Sequence, residues 1–256
     1  MIDFTNTQLY SLISAYFWPL VRILGLFTSA PFFSHRSIPG QVRVGLSLAI
    51  TLLIAPTLKP FPNQDLLSWI GLLILIQQFV IGISIGFAMR FIFTGMELAG
   101  ELISMTMGLG FALFFDPQSQ GRTSSISQLM AIFAMLFFIA TDLHLLLIEC
   151  MVESFDTLPI GVMAMGNNHF YELSKLGGNI FAIGLQISLP VITALLATNI
   201  ALAVLTRAAP QLNIFGIGFP LTLLIGLLML ALILPYWPMP LLDVLQQSIS
   251  IVRQLI

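Results

Sequence analysis

The chain is poor in the residues that most chemistry needs. Its 256 residues include a single cysteine, Cys150, so an internal disulfide is impossible and no cysteine-based metal site can be built. Only 8% of the residues are charged, against about a quarter in soluble globular chains. No basic run exists to hold nucleic acid or anionic lipid, which argues against a nucleic-acid function. There is no phosphate-cradling glycine loop, no His-Glu-x-x-His pattern and no spacing that suggests a Ser/His/Asp arrangement. The amino terminus lacks a basic leader region and carries Asp3, a pattern that does not fit a cleaved signal peptide.

What the chain has instead is apolar length. Hydrophobic residues make up 58% and the mean hydropathy is +1.01, which predicts an all-α integral membrane protein. The first apolar segment, Leu9 to Phe33, contains Pro19, Arg22 and Pro31, so a plain lipid-facing helix is not expected. A cation at bilayer depth costs about 2.5–3.5 kcal/mol on insertion scales, so Arg22 requires a protein or water partner, most simply a buried ion pair or a carbonyl cap. Val44 to Leu58 is short for an upright span. Asp65 is placed to cap a helix that begins at Leu66, and the charge-free run to Met89 is the best single helix of the first half. Within it, Gly82 and Gly86 have the spacing that lets helix backbones approach.

The character changes at Arg90. Glu97 and Glu101 share one helix face with Gly100, Ser104 and Gly108, a polar stripe that lipid would reject. It is expected to lie against a partner helix or an aqueous passage. Then comes a segment from Gly108 to Arg122 with Gly110, Phe111, Phe114, Phe115 and the helix-resisting step Asp116-Pro117. A lipid-exposed irregular loop would leave backbone groups without partners, so this one should be buried in protein or line a cavity, as a turn or as a constriction. Methionines 96, 105, 107, 130 and 135 on its flanks could supply a deformable lining or ordinary core. Ser125 and Gln128 match a capping box for the following helix, which is read as one span from Ile126 to Ile148. Asp142, His144, Glu149 and Glu153 at its end are the one cluster of proton- or metal-capable side chains, best read as a polar helix end.

Ser154 to Lys175 is the largest break in the apolar pattern. Beyond it, Leu176 to Thr206 and Ala208 to Leu242 are charge-free apart from Arg207 between them, and are interrupted by Pro190, Pro210 and Pro220. Bent helices or helical hairpins are the expected solution. Tyr236 and Trp237 fit an interfacial aromatic pair, and the tail from Leu241 is amphipathic.

Several blocks together carry a resemblance: Tyr16 to Arg22, Ala30-Pro31 through Ile38-Pro39, Gly108 through Phe115-Asp116-Pro117, Phe155 through Gly161, and Arg207-Ala-Ala-Pro210-Gln211-Leu212-Asn213 with Gly218-Phe219-Pro220. On these the chain resembles, nearly end to end, the FliR/SctT family of type III secretion export-gate subunits, on its flagellar branch. The resemblance implies a FliP-like part followed by a FliQ-like part (approximate halves 1–158 and 159–256) in one export-gate domain. It implies assembly with FliP and FliQ, together with FlhB and FlhA, in the bacterial inner membrane at the flagellar basal body. The cargo would be unfolded flagellar proteins, with no enzyme activity and no cofactor. It also places a plug at Gly108 to Arg122, while Arg22, Glu97, Glu101, Asp142, His144, Arg207, Pro210 and Gln211 are read as polar-face or interface residues. From the residues alone, two other readings compete: an ion-coupled carrier using Glu97 and Glu101, and an intramembrane enzyme built on Asp142, His144 and Glu149.

Overall fold

A computed structural model describes residues 6–35, 37–58, 68–111, 123–161, 167–209 and 214–255. All regular structure among them is helical: α1 (Asn6–Ser29), α2 (Gly40–Ile54), α3 (Trp69–Thr106), α4 (Ser125–Ala140), α5 (Leu143–Thr157), α6 (Asn167–Ala208), α7 (Ile214–Ile233) and α8 (Pro238–Leu255), with short 3-10 turns at Ala55–Thr57, Leu109–Phe111 and Leu234–Tyr236. Among the described residues, four stretches are long and apolar enough to cross a membrane, Gly40–Thr57, Trp69–Thr106, Gly177–Ala208 and Gly216–Tyr236, and the pair Ser125–Ala140 and Leu143–Thr157, bent by 68°, makes a fifth if taken as one broken span. The protein is an all-α integral membrane protein. In such a chain the helix is the element of choice because it satisfies its own backbone groups.

Two compact units interleave along the chain. The first contains residues 1–90, 142–176 and 247–256; the second contains 91–141 and 177–246. The change of character at Arg90 therefore coincides with a unit boundary, although α3 runs through it without a break. These units follow packing, whereas the two sequence halves follow resemblance.

In the first unit, α1 is not a lipid-facing helix: Trp18, Ile23, Leu26 and Phe27 are all buried. Its crossing with α3 is close because three glycines remove side chains at the contact. A Cβ on Gly82 would stand 2.0 Å from the Arg22 carbonyl oxygen, one on Gly25 2.5 Å from the Phe79 oxygen, and one on Gly86 2.2 Å from Ser29 Oγ. The Gly82/Gly86 pair thus does what its spacing suggests. In the second unit, Gly95 and Gly184 play the same part between α3 and α6, each 2.9 Å from Ile183 and Leu98 side-chain atoms if given a Cβ. Phe93 and Phe138 pack edge to face there, with centroids 5.5 Å apart.

Three expectations are corrected. Helix α3 starts at Trp69 rather than Leu66, and Ser68 Oγ accepts from the Gly71 N–H at 2.9 Å; Asp65 lies outside the described residues. The span read as Ile126 to Ile148 is two helices, separated at Thr141-Asp142, where Asp142 has φ 55°. Apolar periodicity continues across that step and hides it, while a left-handed residue stops a helix whatever its neighbours. Residues 167–175 belong to α6 rather than to a long break. Of the bent helices or helical hairpins expected beyond it, the structure shows two helices, α6 and α7, with Pro190 and Pro220 inside them. A proline removes one internal hydrogen bond, and membrane helices tolerate that where neighbours or local adjustment re-satisfy the carbonyl.

Candidate functional site: two helix ends and the base of the phenylalanine segment

The segment proposed as a plug is described only at its edges. Residues 112–122, with Phe114, Phe115, Asp116, Pro117 and Arg122, lie outside the described residues, as do Pro210 and Gln211. Its first edge is well defined. Helix α3 ends at Thr106, and Gly108 turns the chain with φ 87°, a value that only glycine adopts without strain. Gly110 has no positive φ, and among the described residues nothing lies within 4 Å of where its Cβ would be. Just before, the Met107 carbonyl accepts a hydrogen bond from Thr222 Oγ1 of α7 at 3.0 Å, and the Met107 side chain fills the notch left by Gly226, within 2.7 Å of where a Cβ would be. Both Met107 and Thr222 are buried.

The second edge is pinned by α4. Its N-cap is Ser124, whose Oγ accepts from the Ser127 N–H at 3.2 Å. The capping box read at Ser125 and Gln128 is therefore displaced by one residue, and Gln128 Nε2 instead donates to Thr123 Oγ1 at 3.4 Å. The Glu101 carboxylate accepts from the Ser124 N–H at 3.3 Å, and Ser127 Oγ donates to the Glu97 carbonyl oxygen at 2.8 Å. The polar stripe of α3 thus faces a helix of the same chain. Gly100 makes the approach possible, since its Cβ would fall 2.5 Å from Ser127 Cα. Glu101 is half-buried, and Glu97 is exposed at its side chain.

Among the flanking methionines, Met96, Met107 and Met130 are fully buried in the core of this unit and Met105 is 60% exposed. Core packing describes the first three.

In the first unit Arg22 is wholly buried. Its Nε donates to Gln78 Oε1 at 2.7 Å and Nη1 to the Ser154 carbonyl and hydroxyl oxygens at 2.7 and 3.0 Å. Nη2 donates to Gln78 Oε1 and to the Leu158 carbonyl oxygen at 2.8 Å. The guanidinium also stands 4.2 Å from the Phe155 ring centroid. Five hydrogen bonds thus run from the guanidinium to four acceptor atoms, every one neutral. The charge is balanced by position: Ser154 and Leu158 lie at the carboxyl end of α5, where unpaired carbonyls and the helix dipole present partial negative charge. Of the two partners expected for Arg22, the carbonyl cap is the one observed.

The remaining predicted residues are described one by one. Asp142 is exposed and makes no side-chain cap to α5, His144 is half-buried, Glu149 is exposed, and Arg207 is exposed in the last turn of α6. Among the described residues, no three His, Cys, Asp or Glu side chains gather to hold a metal ion. Sequence reading missed Gln78, Ser154, Ser124 and Thr222. Gln78 had a signal, as one of few amide side chains in a charge-free span; the others are small polar residues of a kind common in membrane helices.

Residues 13–248 match a family model described as bacterial export proteins, family 1. Among curated proteins, the chain is similar to the flagellar biosynthetic protein FliR of Escherichia coli strain K12, at 44% identity over 92% of this chain and 90% of that protein. The FliR of Pectobacterium carotovorum is 43% identical over 93% and 91% of the two chains, and that of Bacillus subtilis 26% identical over 87% of each.

Proposed function

The chain belongs to the bacterial export proteins, family 1, and from that premise we propose that it is a non-enzymatic subunit of the flagellar protein export gate. In this reading it sits in the bacterial inner membrane at the basal body, with its halves 1–158 and 159–256 as FliP-like and FliQ-like parts. It assembles with FliP and FliQ, works with FlhB and FlhA, and contributes to the passage for unfolded flagellar proteins. The segment Gly108 to Arg122 is the plug of that passage.

One observation carries the plug reading furthest: the ends of the segment are anchored by specific polar bonds, Thr222 to Met107 on one side and Glu101 to Ser124 on the other. Fixed ends around an apolar, glycine-bearing stretch suit a constriction that yields without losing its place. Deleting Phe111 to Gln120 is expected to raise small-ion leakage across the membrane while leaving the assembly intact. A tight membrane around the assembled deletion variant would overturn the plug.

The ion-coupled carrier reading draws less support, because the Glu101 carboxylate is already engaged by a backbone amide. A carrier would be active alone in liposomes; the gate reading expects a stable complex with other small hydrophobic subunits.

A further inference from the structure

Helix α4 opens with half of a capping box. Ser124 Oγ serves the Ser127 N–H, but the reciprocal acceptor for the Ser124 N–H, ordinarily a Glu or Gln three residues later, is missing from the helix itself. That position is Ser127, and it has no room for a longer side chain. It is 1% exposed, its Cα lies at the closest point of the crossing with Gly100, and its hydroxyl is used by the Glu97 carbonyl. No acidic residue stands in the first turn of α4. The acceptor comes instead from the neighbouring helix: Glu101, next in sequence to the glycine that makes the crossing close, delivers its carboxylate to the Ser124 N–H.

We propose that Glu101 is a positioning residue that completes the α4 cap in trans and so fixes where α4 begins, and with it the second anchor of the segment read above as the plug. The inference rests on that reading for its effect on leakage, but the cap itself does not. The useful property of Glu101 is an acceptor oxygen at the right reach; its negative charge adds a smaller attraction to the helix N-terminus.

This separates Glu101 from a proton carrier by the order of two conservative variants. Glu101→Gln keeps both reach and an acceptor, whereas Glu101→Asp keeps the charge and the proton but is one methylene shorter. A cap tolerates Gln and fails with Asp; a relay fails with Gln and is better served by Asp.

The experiment uses the full chain in its membrane assembly and measures hydrogen exchange at the Ser124 to Gln128 amides together with small-ion leakage. Glu101→Asp and Glu101→Ala are expected to speed exchange at the Ser124 amide by about tenfold, and Glu101→Gln by about threefold or less, in line with the loss of a helix cap and of a helix-end charge respectively. Leakage should rise in Asp and Ala and stay near wild type in Gln. If the Ala variant fails to assemble, the Asp and Gln pair decides alone. Unchanged exchange in Asp, or a Gln variant worse than Asp, overturns the cap. Faster exchange with wild-type leakage, when the Phe111 to Gln120 deletion does leak, overturns the link from cap to plug. A deletion that does not leak overturns the plug reading instead, while the exchange order still tests the cap.

Discussion

In the first unit a cation from α1 reaches the last carbonyls of α5; in the second an anion from α3 reaches the first amide of α4. Both use a side chain from a neighbouring helix to finish a helix end, with the sign that the helix dipole demands. They differ in how completely they do so. Arg22 is fully buried, places every N–H on an acceptor and carries a ring against its face. Glu101 is half-buried and contributes one bond at 3.3 Å, the long end of the useful range. A buried guanidinium with every N–H engaged has no water to replace its acceptors, although the Gln78 Nε2 beside it is buried without a partner, whereas a single part-buried bond is more readily exchanged for water. The expected consequence is that loss of the first node costs more stability than loss of the second.

The largest expected effect tests the saturated end. Arg22→Ala would leave the Gln78 oxygen and the carbonyls of Ser154 and Leu158 buried without their donor, at a cost on the order of 3–5 kcal/mol. Loss of the folded subunit, read as abundance in membranes and as melting temperature in detergent, should follow. Arg22→Lys should recover little, since an ammonium has three donors and no planar fork. Wild-type stability in the lysine variant would show that charge at the helix end suffices, and the contrast with Glu101 would then be one of burial alone.

The next effect tests the crossings beneath the two nodes. Gly82→Ala forces a Cβ to 2.0 Å from the Arg22 carbonyl, and Gly100→Ala to 2.5 Å from Ser127 Cα, in each case against backbone that can yield only by separating the helices. Overpacking of this kind costs about 1–3 kcal/mol. Gly82→Ala should lower the melting temperature of the subunit, while Gly100→Ala should act more locally, as faster exchange at the start of α4. Gly45→Ala in α2, where nothing among the described residues lies within 4 Å of the added Cβ, is the matched control and should be near neutral. Equal global destabilisation by Gly82→Ala and Gly100→Ala would erase the energetic distinction between the two crossings.

How much of this could be read beforehand follows from the kind of signal each feature leaves. An arginine amid apolar residues announces that it needs a partner, and a carbonyl cap was one of the two expected, yet the helix that supplies it is 132 residues away and leaves no local trace. Gly82 and Gly86 were legible because close packing needs a fixed spacing. The polar stripe of Glu97, Gly100 and Glu101 was legible as a face, and its partner proved to be α4. The break at Asp142 was not legible, because it lies in a left-handed backbone angle that an aspartate can adopt but does not require. Pro190 and Pro220 marked interruptions that lie inside helices, as membrane helices tolerate.

The smallest effect is also the sharpest for the second unit, because it removes one half of a shared cap at a time. Ser124→Ala deletes the Oγ acceptor used by Ser127 but keeps the backbone N–H that Glu101 holds, so it should cost about 1 kcal/mol and fray the first turn of α4. Thr222→Val deletes the donor to the Met107 carbonyl at the opposite edge of the same segment, at a similar cost of about 1 kcal/mol. If the edges act independently, the double variant should show the sum of the single effects on hydrogen exchange, since no atom is shared between them. A double variant that loosens both edges by more than the sum would mean that the two anchors hold one cooperative element. The chain between Met107 and Ser124 would then be released as a unit when either end lets go.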